Sequence, residues 1–184
     1  AAIEIVKKLG IKVKFRSKIC EIYGKGINGY FFKKNIKLNA KNSGTLGRLI
    51  LGLLIDTPYP IKIIGDKSLS QRDFKRVSDP LSEFGVSFKL TKKKYLPLTI
   101  MGSKKLKPIN YLEKKGSAQC KSAVIFGGLK TNGTTTIKAK KSRNHTELMC
   151  KYLNLPISVK KNKNYGVIKI NKINKINKFN YNIP

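Results

Sequence analysis

Two stretches decide the fold: Ser43-Gly-Thr-Leu-Gly-Arg-Leu-Ile-Leu-Gly-Leu-Leu54 and Ser117-Ala-Gln-Cys-Lys-Ser-Ala-Val-Ile-Phe-Gly-Gly-Leu129. Each opens on a serine, whose short hydroxyl suits a helix N-cap. Each continues as small and apolar residues with almost no polar face, the pattern of a helix enclosed on all sides. The spacing predicts buried helices over about 44–55 and 118–129. The two serines lie 74 residues apart, and Ser68 and Ser142 recur at that same offset.

Working outward, both helices are followed by a β-rich stretch, Ile61-Lys-Ile-Ile64 and Thr134-Thr-Thr-Ile-Lys138. A second repeated element then appears, and it occurs three times. It is a short amphipathic helix, a turn and two strands, at Ile3 to Tyr23, Val77 to Ile100 and Glu147 to Ile170. Gly10, Gly85 and Asn154 close the three helices. Glycine and asparagine tolerate the left-handed conformation that ends a helix. The predicted unit is strand, buried helix, strand, surface helix, strand, strand, which makes the chain an α/β protein. We expect one domain over 1–184, with repeats at about 1–30, 31–105 and 106–184 around a pseudo-threefold axis. Ala1 to Leu9 already has helical spacing, and the chain stops at Ile183-Pro184 without a polar tail, so we expect a fragment that lacks the start of the first repeat. The last stretch, Ile170-Asn-Lys-Ile-Asn-Lys-Ile-Asn-Lys178, has a period of three that fits neither helix nor strand, and we expect an irregular edge or loop.

Composition narrows the function classes. The 184 residues are 40% hydrophobic, enough for a packed core, and no run of about 18 apolar residues suggests a membrane span. The net charge is +31, from 40 Lys+Arg against 9 Asp+Glu. That balance suggests an anionic partner, and a basic nucleic-acid-binding module is one reading. However, the lysines come as scattered pairs among Asn and Ile, without a helix-turn-helix, zinc-finger or RNA-recognition signature. We therefore expect weak, salt-sensitive binding to nucleic acid and no specific complex. The three cysteines, Cys20, Cys120 and Cys150, are odd in number and widely spaced. They fit neither a disulfide framework nor a zinc site, and each is expected to be a small core residue in a reducing, cytoplasmic setting.

Four further stretches fall in one order along the chain: Asn42-Ser-Gly-Thr-Leu-Gly-Arg48, Gly65-Asp-Lys-Ser-Leu-Ser-Gln-Arg72, Gly116-Ser-Ala-Gln-Cys-Lys-Ser-Ala123 and Ser142-Arg-Asn-His-Thr-Glu147. In this order, and joined by the repeats, they resemble the EPSP synthase family, the 3-phosphoshikimate 1-carboxyvinyltransferases. The resemblance implies an enolpyruvyl-transferase-like, inside-out α/β barrel domain of three pseudo-symmetric repeats. It implies transfer of the enolpyruvyl group of phosphoenolpyruvate to shikimate 3-phosphate, with release of phosphate, and no cofactor or metal. The alternative within the fold is a relative of the UDP-N-acetylglucosamine enolpyruvyl transferases. Those usually place a reactive cysteine in the loop matching Gly65 to Arg72, and no cysteine lies between Cys20 and Cys120.

The resemblance assigns phosphoenolpyruvate to Asn42, Gly44, Thr45, Arg72 and Gln119, and shikimate 3-phosphate to Ser117, Ala118, Gln119, Ser142 and Arg143. The chemistry is consistent. A helix start presents outward N–H groups to an anion, a glycine there allows close approach, and an arginine fork grips carboxylate or phosphate. The bland alternatives are plain N-caps at Ser43 and Ser117 and a solvated arginine at 72. Ala118 departs from members with two serines, where a backbone contact survives. Arg48, in an apolar segment, needs a partner, either a structural salt bridge beneath the site or a ligand. His145, the sole histidine, reads as a helix-start residue rather than a general base. The family's acid–base residues are expected beyond Pro184 and its Lys-Ser motif ahead of Ala1, so no catalytic residue is expected here. By the same resemblance the full-length protein is expected to be a monomer.

Overall fold

The structure, a computed structural model, describes residues 1–27, 29–32 and 34–180. Sixteen elements alternate in the order α1 (Ala2–Lys8), β1 (Lys12–Arg16), β2 (Ile19–Tyr23), β3 (Lys37–Asn39), α2 (Gly44–Leu53), β4 (Ile61–Ile64), α3 (Lys67–Ser70), α4 (Lys75–Ser82), β5 (Ser87–Thr91), β6 (Tyr95–Met101), β7 (Asn110–Glu113), α5 (Ala118–Gly128), β8 (Thr135–Lys140), α6 (His145–Tyr152), β9 (Ile157–Lys161) and β10 (Tyr165–Ile170). The chain is α/β, with two mixed sheets built to one plan. Their strand orders are β3-β4-β6-β5 and β7-β8-β10-β9. In each the first pair is parallel and the other two pairs are antiparallel. The parallel pair needs a crossover, and α2 and α5 supply it. Among the described residues the β1–β2 hairpin forms a two-stranded sheet of its own.

The two crossover helices are the interior. Ser43 Oγ accepts from the Leu46 amide at 3.2 Å, and Ser117 Oγ accepts from the Cys120 amide at 3.3 Å, so both serines are N-caps. Eight of the eleven residues of α5 are buried, including polar Lys121 and Ser122. The helices run side by side in the same direction. Their starts are joined by Gln119 and Thr45, and their ends by Lys130 and Asp56, each pair 74 residues apart. Close approach depends on Gly52: a Cβ there would land on the Ala123 carbonyl of α5. Their own Leu51, Val124 and Ile125 meet Leu54, Ile55, Phe74, Leu81 and Phe84 in a core without solvent contact.

Gly10, Gly85 and Asn154 have φ of 82°, 98° and 51°, the left-handed region that ends α1, α4 and α6. The Asn-Lys-Ile tail is irregular over 171–180, while Ile170 itself ends β10. Its period of three has a use: Ile173 is buried, with its amide bonded to the Leu129 carbonyl at 2.9 Å, and Ile176 packs against the core. Residues 181–184, which follow that stretch, lie outside the described residues.

One expectation is corrected. Cys120 and Cys150 are buried, but Cys20 is exposed. It lies in β2, where Ile19 and Ile22 are exposed as well: in the β1–β2 hairpin Val13 of β1 is buried, and no residue of β2 is.

Candidate functional site

The starts of α2 and α5 meet at one pole, and that meeting brings one sequence-predicted group together. Gln119 Nε2 donates to Thr45 Oγ1 at 2.9 Å. Gln119 Oε1 accepts from Arg48 Nη1 at 2.6 Å. Arg72 lies in the loop after α3 and is exposed; its Nη2 donates to Asn42 Oδ1 at 3.3 Å. The far side of the Asn42 amide donates to Asp66 at 2.6 Å, and Asp66 also caps α3 through the Leu69 amide. Gly44, the first residue of α2, faces both arginines. A methyl group built on it would stand 3.1 Å from Arg48 Nη1 and 3.2 Å from Arg72 Nη1. Asn42, Gly44, Thr45, Arg72 and Gln119 thus form one polar cluster around two cations.

Arg48 shows what that cluster lacks. Its guanidinium is buried against the Phe74 ring, 5.2 Å from the centroid. Besides Gln119 it donates to the Asp73 carbonyl at 3.2 Å, and its Nε has no partner. Both acceptors are neutral, so among the described residues the structural salt bridge considered from sequence does not form. Burial, with the nearby Arg76 charge, pushes the Arg48 pKa below its ordinary value. A buried, uncompensated cation is costly, and an incoming anion would offset that cost. The helix start at Gly44 adds outward N–H groups of the same sign.

The second group is arranged differently. Ser117 and Ala118 start α5, and the Ser117 amide donates to the buried carboxylate of Glu113 at 2.8 Å. Ser142 and Arg143 lie in the loop between β8 and α6. Their link to α5 runs through Lys121, whose Nζ donates to the Arg143 carbonyl at 2.9 Å. Ser142 Oγ is buried and has no hydrogen-bond partner among the described residues. A cavity of about 400 Å³ is bordered by Lys121, Lys141, Ser142, Asn144 and Glu147. A second, of about 550 Å³, lies at the opposite pole beside the Lys130–Asp56 pair. His145 is the exposed first residue of α6.

Sequence reasoning missed Asp66, Glu113, Lys121 and Glu147. Asp66 carried a signal, since it stands three residues before Leu69 as an N-cap should. Glu113 and the Lys121–Glu147 pair carried none: their role depends on contacts between segments that no local spacing announces.

A family model described as EPSP synthase (3-phosphoshikimate 1-carboxyvinyltransferase) matches residues 1–184. The chain belongs to the EPSP synthase family. A 3-phosphoshikimate 1-carboxyvinyltransferase from Caldicellulosiruptor bescii is 44% identical over 154 residues, which are 83% of this chain and 35% of that protein. One from Streptococcus agalactiae is 40% identical over 162 residues, 87% of this chain and 38% of that protein. The chain therefore spans little more than a third of the length of these curated relatives. The solved EPSP synthase of Acinetobacter baumannii superposes with a TM-score of 0.84 at 29% identity, over 95% of this chain and 39% of that one. An enolpyruvyl transferase from Streptomyces tendae, at 17% identity and a TM-score of 0.57, shares the fold.

Proposed function

We propose that this EPSP synthase chain supplies one substrate-holding face of an enzyme that transfers the enolpyruvyl group from phosphoenolpyruvate to shikimate 3-phosphate. The observation that supports it most is the buried Arg48, whose Nε has no partner, standing with the exposed Arg72 before Gly44 at the start of α2. Phosphoenolpyruvate carries a carboxylate and a phosphate, the two groups that arginine forks and helix starts grip best. In this reading Arg72, Gly44, Thr45 and Asn42 hold it, and Gln119 reaches between both substrates. Ser117, Ala118, Ser142 and Arg143 hold shikimate 3-phosphate, and the unpartnered Ser142 hydroxyl offers its phosphate a donor.

These residues bind and orient. Positive charge fixed beside a departing phosphate stabilises the charge that develops there, and donors held in place need no reorganisation during the reaction. Proton transfer requires groups of tuned acidity, and the reading assigns that task to parts of the protein outside this chain. The reading also places the three units in one domain around a pseudo-threefold axis, and the full-length protein in the cytoplasm as a monomer. The free cysteines fit a reducing compartment. No helix among the described residues is long and apolar enough to cross a membrane. The reading includes no specific nucleic-acid partner: the described members of the lysine pairs are exposed but scattered over α1, the strand ends and the loops. Binding to DNA should then fall away steeply as salt rises.

Titration calorimetry on the full-length protein, with shikimate 3-phosphate and with UDP-N-acetylglucosamine, tests the acceptor. Binding of the first alone is expected; preference for the second would contradict the reading.

A further inference from the structure

The loop over 141–144 holds Ser142 and Arg143, yet it lies between β8 and α6, outside both the sheet ladder and the helix. What fixes it comes from α5. Lys121 lies two residues beyond Gln119 on that helix, and its side chain is 4% exposed. Its Nζ stands 2.7 Å from Glu147 Oε1 and donates to the Arg143 carbonyl at 2.9 Å. Beside this pair, one residue after Lys121 and one before Glu147, the Ser122 and Thr146 hydroxyls share a hydrogen bond of 2.7 Å. The Glu147 side chain is 7% exposed, and its Oε2 is buried without a partner.

A buried ion pair of this kind is a weak source of stability, because desolvating both charges offsets most of their attraction. An incompletely bonded carboxylate makes it weaker still. What the pair does provide is geometry. An ammonium has three donors; Glu147 anchors one, and a second reaches a main-chain carbonyl inside the loop. The loop is thereby tied to the same helix whose first turn holds Ser117 and Gln119.

We propose that Lys121 is a positioning residue for the anionic acceptor, acting through the Arg143 carbonyl and held in place by Glu147. It sets the height of Ser142 and Arg143 above the start of α5, so that both segments meet one phosphate ester. The proposal rests on the reading that these two segments bind shikimate 3-phosphate. Lys121 itself touches no substrate.

Variants of the full-length protein test it. Lys121→Met/Glu147→Met replaces the pair by apolar side chains and removes the donor to the loop. We expect KM for shikimate 3-phosphate to rise about tenfold, which is about 1.4 kcal/mol, with KM for phosphoenolpyruvate within about twofold of the parent. Amide hydrogen exchange over 141–145 should quicken while the melting temperature holds. Lys121→Arg keeps both donations and should restore most of the affinity. Unchanged exchange and unchanged KM in the Met pair, or an equal rise in both KM values, would overturn the proposal. If the Met pair does not fold, Lys121→Gln serves instead: its amide nitrogen ends one bond short of the Nζ position, which lengthens the reach to the Arg143 carbonyl while a polar group stays beside Glu147. Failure of both to fold would assign the pair to stability alone and end the idea. Ser142→Ala/Arg143→Ala separates the two claims. A normal KM for shikimate 3-phosphate in that variant removes the site reading and the proposal with it. A raised KM there beside a normal one in the Met pair removes the positioning role only.

Discussion

Arg48 Nη1 and Gln119 Oε1 are joined by a 2.6 Å hydrogen bond between two helices, 71 residues apart in sequence. The Gln119 amide thereby satisfies a buried cation with its oxygen and bonds Thr45 with its nitrogen. Gln119→Ala should leave the guanidinium with one fewer acceptor in a site where Nε already lacks one. A buried donor left unsatisfied costs about 1–3 kcal/mol. At about 2–4 °C per kcal/mol, a lowered melting temperature should be plain in calorimetry. Gln119→Glu is the informative contrast. A carboxylate there would neutralise Arg48, so stability should hold while affinity for phosphoenolpyruvate drops at least about tenfold. Equal stability of the parent and Gln119→Ala would mean that the bond contributes nothing.

Gly44 leaves room that an alanine would fill. The new methyl group would stand 3.1 Å from Arg48 Nη1 and 3.2 Å from Arg72 Nη1, so both forks must yield by a few tenths of an ångström. Overpacking of this kind costs about 1–3 kcal/mol. The family resemblance implies that the inhibitor glyphosate, the longer molecule, takes the phosphoenolpyruvate site, and on that reading it should bear most of the cost. In the full-length protein, Gly44→Ala is expected to raise the glyphosate inhibition constant about ten- to a hundredfold, with a smaller rise in KM for phosphoenolpyruvate. Equal changes in both constants, or none, would place Gly44 elsewhere.

Alkaline pH should loosen the core in steps. Burial, with the Glu147 charge, pushes the Cys150 thiol from 9.0 up to about 11, and burial with the Asp56 charge pushes the Tyr30 hydroxyl from 10.0 up to about 12. Tyr111 is raised too, mainly by burial. In each case the folded state prefers the neutral group, so the unfolded chain loses its proton first. The stability these groups give is complete below pH 9 and falls as pH climbs toward 12. Lys130 works the other way: burial lowers its pKa despite the attraction of Asp56, which adds stability as pH rises toward 10.5. With Cys150, Tyr30 and Tyr111 set against Lys130, urea midpoints should fall between pH 9 and 11, and Cys150→Ala should flatten the first part of the fall. A midpoint that stays level or rises across that range would contradict this balance.

What was legible in sequence is what local chemistry dictates. The serine caps and the seamless apolar faces announced α2 and α5, because capping and periodicity act within a few residues. The same holds for the three helix ends at Gly10, Gly85 and Asn154. Four-residue α3 is too short to leave a period in the polar loop before Arg72. Cys20 was misplaced because burial of β2 depends on what covers the hairpin, a property of the assembled sheet. In the site, Gly44 and Arg72 could be named from a motif, while the bond from Arg48 to Gln119 could not, since it joins the two repeats. Lys121 and Lys130 look in sequence like any of the 40 basic residues, and only the packing of α5 shows them to be buried.

On the proposed function, the Arg72 face grips phosphoenolpyruvate during enolpyruvyl transfer. The most direct measurement is phosphate release from phosphoenolpyruvate in the presence of shikimate 3-phosphate, by the full-length protein and by Arg72→Ala. A lost bidentate grip on an anion should cost about 1.5–3 kcal/mol, so kcat/KM for phosphoenolpyruvate should fall at least about tenfold with the fold intact by circular dichroism. No phosphate release by the parent, or an Arg72→Ala protein with undiminished kcat/KM, would contradict the account.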